Sequence, residues 1–374
     1  MSIYKRGRRL ASRVKRRIIK PAPGSGVSVP FSKPTIRAEA LQRNGKPFRA
    51  VVIGAGAQGR DICLGLLQLQ GVEIAGVADR SQEALERLKT QVTLNGARTY
   101  QDAQAMLQAE SPDLVCVATN TPSHVPLAMM ALDAGAKYLL VEKPIGTNIR
   151  AARDLVDCAR SKGVPLAVDH GRSWSLDYHA MKRYIAGGQI GRARQIYVAF
   201  GQGGLAMNGI HFIDLIRLFI DSPIEWVIGN LDTVTEPNKR GAEYHDPSGY
   251  ILFQFADGAR AFLDLSHDLV RKDSFLVIKT EHGRIEVDER AREWRVISQD
   301  ARFAVPFVDS KSLPAKVARV MAELLSGDAP HSDGEDGVAA LEVVLAAHLS
   351  HQQGNQPVRL PLTDEQQLFD VRFP

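Results

Sequence analysis

The chain has 374 residues, enough for two domains with substantial cores, and its 44% hydrophobic and 24% charged content is that of an ordinary globular protein. Its apolar runs fall short of the roughly 20 residues that cross a bilayer, which excludes a membrane-spanning protein. The net charge of +5 is a local property: eleven Lys and Arg precede the first acid, Glu39, and removing them leaves 36 basic against 42 acidic residues.

Within residues 1–20 of that basic leader, Leu10, Val14 and Ile18 recur at helical spacing among Lys and Arg. Three readings stand open: a helix on an anionic membrane surface, a solvated or subunit-packed arm, and a cleaved targeting peptide. The leader lacks aromatic interleaving, so no nucleic-acid partner is expected. Pro21, Pro23, Gly24, Gly26, Pro30 and Pro34 then form a linker, and residues 1–47 together read as extension plus linker.

Arg49 to Ile53 is a β-branched run suited to a buried parallel strand. Gly54-Ala55-Gly56-Ala57-Gln58-Gly59 follows as G-x-G-x-x-G, and an apolar helix is predicted from Ile62 to Leu69. In that order the glycines permit a tight turn, a close approach to a diphosphate, and helix-on-strand packing. A second strand ends in Asp79, 20 residues past Gly59, where a carboxylate bonds ribose hydroxyls and repels a 2′-phosphate. NAD is therefore expected, with NADP kept open by the neighbouring Arg80.

Further βα units are predicted: helices from Ser81 to Lys89, Tyr100 to Glu110 and Val125 to Ala134, and strands in "DLVCVATNTPSH" and "KYLLVEKPIGTN". The alternation implies a doubly wound parallel sheet over residues 48–168, with ligands beyond the carboxyl ends of its strands. Asn120 to His124 and Glu142-Lys143 fall at such ends. "MNGIHFIDLIRLF" reads as a buried helix placing Met207, His211 and Asp214 on one face. From the stretch alone, His211 is either a core histidine or a proton carrier, and Asp214 pairs with Arg217 or serves a site. "RQIYVAF", "PIEWVIGNL", "GYILFQF" and "ARAFLDLS" read as strands with Asp257-Gly258 as a hairpin turn, and "SFLVIKT" and "RIEVDE" as a hairpin around His282-Gly283. His245-Asp246 lies in a Gly/Pro-rich loop and is expected to be exposed.

Cys63, Cys116 and Cys158 are widely spaced in apolar or helical settings and read as buried thiols of a reducing, cytoplasmic compartment. No Cys/His spacing suits a metal, and no serine elbow or P-loop occurs.

The glycine turn at 54–59, "TPSH" at 121–124, "EKP" at 142–144, "GIHFID" at 209–214 and "SDGEDGVAALEVVLAAHLS" before "PVRLPL" resemble the glucose–fructose oxidoreductase and inositol dehydrogenase (Gfo/Idh/MocA) family. The resemblance runs from about Phe48 to Leu362. It implies a Rossmann domain followed by an α+β domain over 169–362 with a large open antiparallel sheet, then a tail over 363–374. It also implies a homodimer or homotetramer built through that sheet. The activity it implies is hydride transfer between nicotinamide and a carbinol of a sugar, sugar derivative or cyclitol. Lys143 would bond the reacting oxygen and His211 would act as acid/base. Cofactor contacts would come from Gly54, Gly56, Ala57, Gln58, Gly59, Asp79, Arg80, Thr119, Asn120, Pro122, His124, Glu142 and Lys143. Substrate contacts would come from Arg172, Trp174, Asn208 and Asp214.

The chain departs from that pattern twice. Met207 stands where many relatives carry Asp or Asn four residues before the histidine, and Met neither accepts a proton nor orients an imidazole. The common Asn-Arg-Arg-aromatic run is replaced by Gly171, Arg172, Ser173 and Trp174, leaving Arg172 as a hydroxyl or anion donor and Trp174 as a stacking face. Asp169 and His170 add polar groups nearby, His170 as a substitute acid. Two other readings remain: an NAD- and sugar-binding relative without turnover, and a lyase or hydrolase using transient oxidation on retained NAD.

Overall fold

Short β-branched runs between amphipathic helices build a six-stranded sheet: β1 (Phe48–Ile53), β2 (Val72–Ala78), β3 (Arg98–Tyr100), β4 (Leu114–Val117), β5 (Tyr138–Val141) and β6 (Leu166–Val168). The intervening helices are α1 (Ala57–Leu66), α2 (Gln82–Gln91), α3 (Ala103–Glu110), α4 (His124–Asp133) and α5 (Ile149–Ser161). A computed structural model describes residues 41, 45–201, 203–233, 238, 240–265 and 274–374. The basic leader, with its membrane, arm and targeting readings, lies outside the described residues.

The sheet order is β3-β2-β1-β4-β5-β6 with every pair parallel, a doubly wound arrangement. Strand order reverses between β1 and β4, which opens a crevice at their carboxyl ends. Ala50, Val51 and Val52 are wholly buried, as expected where helices cover both faces.

Helix bounds differ from the sequence reading in two places. Tyr100 belongs to β3, and α3 starts only after Asp102, whose carboxylate accepts from Ala105 N at 2.7 Å. Edge pairing with β2 outweighs the helical pattern there, and the Asp cap sets the true start. The first helix begins at Ala57, within the glycine motif and directly after Gly56, and stops at Leu66.

Beyond α6 (Leu176–Ala186), β7 (Ala193–Phe200) and a π-helical turn at Leu205–Gly209 lead into α7 (Ile210–Phe219). A second sheet follows from β8 (Ile224–Leu231), β9 (Gly249–Phe255), β10 (Arg260–Asp264), β11 (Ser274–Thr280), β12 (Gly283–Asp288), β13 (Glu293–Ser298) and β14 (Arg302–Pro306). Helices α8 (Leu313–Leu325) and α9 (Gly334–Gln352) and the short β15 (Val358–Arg359) complete the chain. The order is β14-β13-β12-β11-β7-β10-β9-β8-β15. Neighbours are antiparallel except β7 with β10, because the β8–β9–β10 meander is laid beside β7 after a crossover through α7.

One face of this sheet is buried by α7 and α9. A Cβ on Gly229 of β8 would stand 2.5 Å from the Ala347 carbonyl of α9, so the helix backbone rides directly on the strand. No described helix covers the other face. Val277, Tyr197, Phe262, Leu252 and Ile228 pair side by side across five strands and form one apolar row on it.

Helix α8 leaves the second sheet and packs on α1 of the first, where Val317, Ala318 and Met321 join the core cluster of Ile62, Cys63 and Leu66. Residues past 362 are packed too: Phe373 is wholly buried, and Thr121 Oγ1 donates to the Pro374 carbonyl at 2.8 Å. A Cβ on Gly65 would lie 2.7 Å from Val317 Cβ and 2.8 Å from the Pro314 carbonyl. Gly65→Ala is accordingly expected to lower unfolding stability by about 1–3 kcal/mol. Urea denaturation checks this; an unchanged midpoint would show that α1 and α8 part without cost.

Candidate active site

Gly54 ends β1 at φ +110°, and a Cβ there would stand 2.2 Å from the Ala118 carbonyl. A Cβ on Gly59 would stand 1.9 Å from the Gly54 carbonyl, so both glycines are required for α1 to sit against the strand ends. Gly56 differs: it is exposed, and a Cβ there would meet nothing within 4 Å. That space is bounded by the start of α1, where Gly56 caps the helix without a side-chain bond and Ala57 is exposed. A helix start of this kind suits a diphosphate.

Asp79 closes the same end of the crevice. Its Oδ2 accepts from Ala55 N and its Oδ1 from Ser81 N, both at 2.8 Å, which fixes the carboxylate while leaving lone pairs for ribose hydroxyls. Arg80 is exposed beside it. These residues fit a dinucleotide.

Across the crevice, Thr119, Asn120 and Pro122 are partly exposed at the end of β4. Ser123 Oγ donates to Asn120 Oδ1, and Asn120 Nδ2 to the Tyr244 hydroxyl, each at 2.6 Å. His124 is corrected from cofactor contact to brace. It is buried, with Nδ1 2.7 Å from the Pro144 carbonyl and Nε2 3.1 Å from the Thr119 carbonyl, tying the β4 turn to the loop after β5.

That loop carries Glu142 and Lys143. Gln58 Nε2 donates to Glu142 Oε1 at 3.0 Å, linking the glycine turn to the lysine. Lys143 is only 7% exposed, and its Nζ donates to the Met207 carbonyl at 3.1 Å, with Met207 Sδ at 4.0 Å. Burial pulls the amine below the usual lysine range, against the opposing pull of Glu142, Asp246 and Asp169. Burial, reinforced by Glu142, holds Asp169 well above the carboxylate range.

The π turn at Leu205–Gly209 inserts before α7 and moves Met207 out of the simple helical register with His211. Met207 faces Lys143 instead. Asp246 holds the turn: its carboxylate accepts from Ala206 N at 2.7 Å and Met207 N at 3.2 Å. A Cβ on Gly204 would stand 1.9 Å from Asp246 Oδ2, so glycine is needed for that contact. Burial pushes Asp246 up to about 6.

His211 is half-buried one turn further on. Burial, then Lys143, His170, Arg172 and Lys316, keep its imidazole well below the ordinary range, so the ring is neutral at pH 7. Arg172 is clamped beside it, with Nη2 3.0 Å from Glu289 Oε2 and its guanidinium 4.0 Å from the Phe212 ring centre. Glu289 also accepts from the Tyr178 hydroxyl at 2.6 Å and the Ser274 hydroxyl at 2.6 Å. Asn208 is partly exposed within the π turn.

Two expected substrate contacts are corrected. Trp174 is 0% exposed, packed in the cluster that includes Val317 and Ala318, so it offers no stacking face. Asp214 is buried behind the site, its Oδ2 3.7 Å from His170 Nδ1 and its Oδ1 3.6 Å from Arg217 Nη1. The apolar pattern shows that such residues sit near the site but not which side of the wall they occupy.

Asp246, Lys316 and Glu289 join the site without a sequence motif to mark them, and Asp246 is partly buried where its loop composition predicts exposure. Each arrives from a distant part of the chain: Lys316 Nζ, on α8, donates to the Gly171 carbonyl at 2.8 Å. His245 is exposed as expected. Cys63 and Cys116 are buried, and burial pushes the Cys63 thiol up to about 12. Among the described residues no cluster of His, Cys, Asp and Glu suits a metal, and no helix is long and apolar enough to cross a membrane.

A dinucleotide cradle facing a buried lysine and a neutral histidine on a second, sheet-built half defines a nicotinamide-dependent oxidoreductase architecture. The family model of the oxidoreductase family with an NAD-binding Rossmann fold, GFO/IDH/MocA, matches residues 48–170, and that of its C-terminal domain matches residues 178–286. The chain belongs to the Gfo/Idh/MocA family.

Among its relatives is a D-apiose dehydrogenase of Paraburkholderia graminis, 26% identical over 345 residues that span 83% of this chain and 89% of that one. An inositol 2-dehydrogenase/D-chiro-inositol 3-dehydrogenase of Halalkalibacterium halodurans is 30% identical over 192 residues, 48% of this chain and 55% of its own. Two solved structures share the fold. An oxidoreductase domain protein from Kribbella flavida superposes with a TM-score of 0.76 at 18% identity, over 85% of this chain and 100% of that one. Levoglucosan dehydrogenase in complex with NADH and levoglucosan does so with a TM-score of 0.74 at 17% identity, over 85% and 100%.

Trp174→Ala is expected to destabilise the fold by about 3–5 kcal/mol through the cavity it leaves. Thermal or chemical denaturation measures this; an unchanged stability would return Trp174 to the list of pocket residues.

Proposed function

We propose that the protein transfers a hydride between nicotinamide and a carbinol carbon of a sugar, sugar derivative or cyclitol, with NAD preferred over NADP. The observation that carries this is the junction of Lys143 and His211. The Gln58–Glu142 bond ties Lys143 to the glycine turn, and the Lys143–Met207 bond ties it to the turn that leads to His211. The names of the relatives, dehydrogenases of apiose, inositol and levoglucosan, support a polyhydroxylated substrate.

Bound NAD supplies the hydride acceptor or donor at its nicotinamide ring. The protein supplies the rest. Lys143, desolvated and aimed across the crevice, donates to the carbinol oxygen and stabilises the negative charge that develops there. His211 is neutral and receives the carbinol proton in the oxidative direction. Arg172, held rigid by Glu289 and Phe212, orients a hydroxyl or carboxylate of the substrate. Asp79 favours a free ribose 2′-hydroxyl, which is the basis for NAD.

Turnover of a sugar and cyclitol panel is followed by reduced-nicotinamide absorbance near ~340 nm. Lys143→Ala should lower kcat by about 10²–10³-fold while NADH affinity is retained. A variant with intact kcat overturns the role of Lys143.

Subunit association is part of the same reading. The open apolar row includes Tyr197 at 41% and Leu252 at 39% exposure, with Phe275 at 57% nearby, an arrangement suited to a second copy of the sheet. We expect a homodimer or homotetramer in sedimentation, and Leu252→Asp should shift it to smaller species. A monomeric wild type removes this assignment.

A further inference from the structure

His211 Nδ1 is sealed from solvent without a hydrogen-bond partner, and so is His170 Nε2. The two rings stand edge to face with centres 6.1 Å apart. A buried polar atom left unpaired costs free energy, and two of them in adjacent rings call for a shared partner. Behind His170, its Nδ1 lies 2.9 Å from Ser332 Oγ and 3.7 Å from Asp214 Oδ2. Residue 207 provides no such partner, because Met207 is turned toward Lys143.

We propose that one ordered water bridges His211 Nδ1 and His170 Nε2, so that His170 and Asp214 form a proton path leading away from the carbinol. The proposal rests on the dehydrogenase reading above. In the oxidative direction the carbinol proton bonds to His211 Nε2, and the Nδ1 proton of His211 moves to the water. The water gives a proton to His170 Nε2, and the Nδ1 proton, held at rest by Ser332 Oγ at 2.9 Å, is drawn from the now cationic ring to the Asp214 carboxylate, which closes from 3.7 Å to receive it. Both imidazoles finish neutral and Asp214 finishes protonated; reduction runs the path backwards.

The surrounding charges suit these roles. Burial, then Arg217 and Lys143, bring His170 down to about 3. Lys143, Arg172 and Lys316 face His211 and disfavour a lasting imidazolium there. Burial raises Asp214 to about 7 against the neighbouring Ser173 hydroxyl and Arg217, with Asp336 and Asp333 adding to the rise. Asp214 is thus the member of the path able to store the proton near neutrality. His170 and Asp214 are positioning and relay residues, since the substrate reaches neither.

Two measurements on the full-length protein test this. Side-chain ¹⁵N spectra of labelled histidine, with no substrate present, should show His211 as a single Nδ1–H tautomer. His170→Phe should convert it to a tautomer mixture, and His170→Gln, which keeps a polar atom facing the water, should restore it. In turnover, kcat for oxidation should rise with pH through about 7, because Asp214 must be ionised to receive the proton. Asp214→Asn should remove that limb, and His170→Phe should lower kcat about tenfold with little change in KM. An unchanged His211 tautomer in His170→Phe overturns the path, as does a wild-type pH limb that survives Asp214→Asn. Absence of turnover by the wild type with every sugar defeats the dehydrogenase reading instead, and the tautomer result stands apart from it.

Discussion

A lysine amine held out of water is the constraint around which the two halves of this molecule are arranged. Lys143 is expensive to bury alone, so the surrounding fold supplies it with partners. Each comes from a different element: Glu142 from its own loop, Asp169 from the end of β6, the Met207 carbonyl from the π turn, and Asp246 from the loop before β9. The Met207 and Asp246 contacts also join the dinucleotide layer to the sheet layer.

The carboxylates near the amine do not all ionise equally readily. Asp169 is raised by burial and by Glu142, which weakens the negative charge pressed against Lys143. Across the site, Arg172 spends its charge on Glu289, and Lys316 leans on the Gly171 carbonyl. His211 therefore sits among cations and stays neutral. A neutral base beside an amine donor suits alcohol oxidation.

Legibility in the sequence followed the range of the interactions. Gly56 and Gly59 act within the turn itself, and Asp79 reaches back one βα unit to Ala55, so their spacing already carries their geometry; the Ala118 carbonyl that confines Gly54 comes from a distant strand end. Four of the six parallel strands, β1, β2, β4 and β5, and Lys143 at a strand end were readable from local composition. Tyr100 was misplaced because its strand exists only through pairing with β2. Trp174 and Asp214 looked like pocket residues because polarity and sequence proximity do not say which way a wall residue points. The π turn was invisible, since an apolar run has the same composition in α and π geometry; it needs Asp246, about forty residues later, to hold it. The pairing of His170 with His211 likewise depends on β6 and α7 meeting in space.

Helix α8 has a consequence for how the chain is made. The face of α1 that receives Val317 and Met321 belongs to the first sheet's core, yet its cover is encoded after eight of the nine strands of the second sheet. During synthesis the dinucleotide layer emerges with that apolar face bare, while most of the remaining chain has still to be translated. The nascent protein is most exposed to aggregation in that interval, and the final closure waits on a contact of high sequence separation.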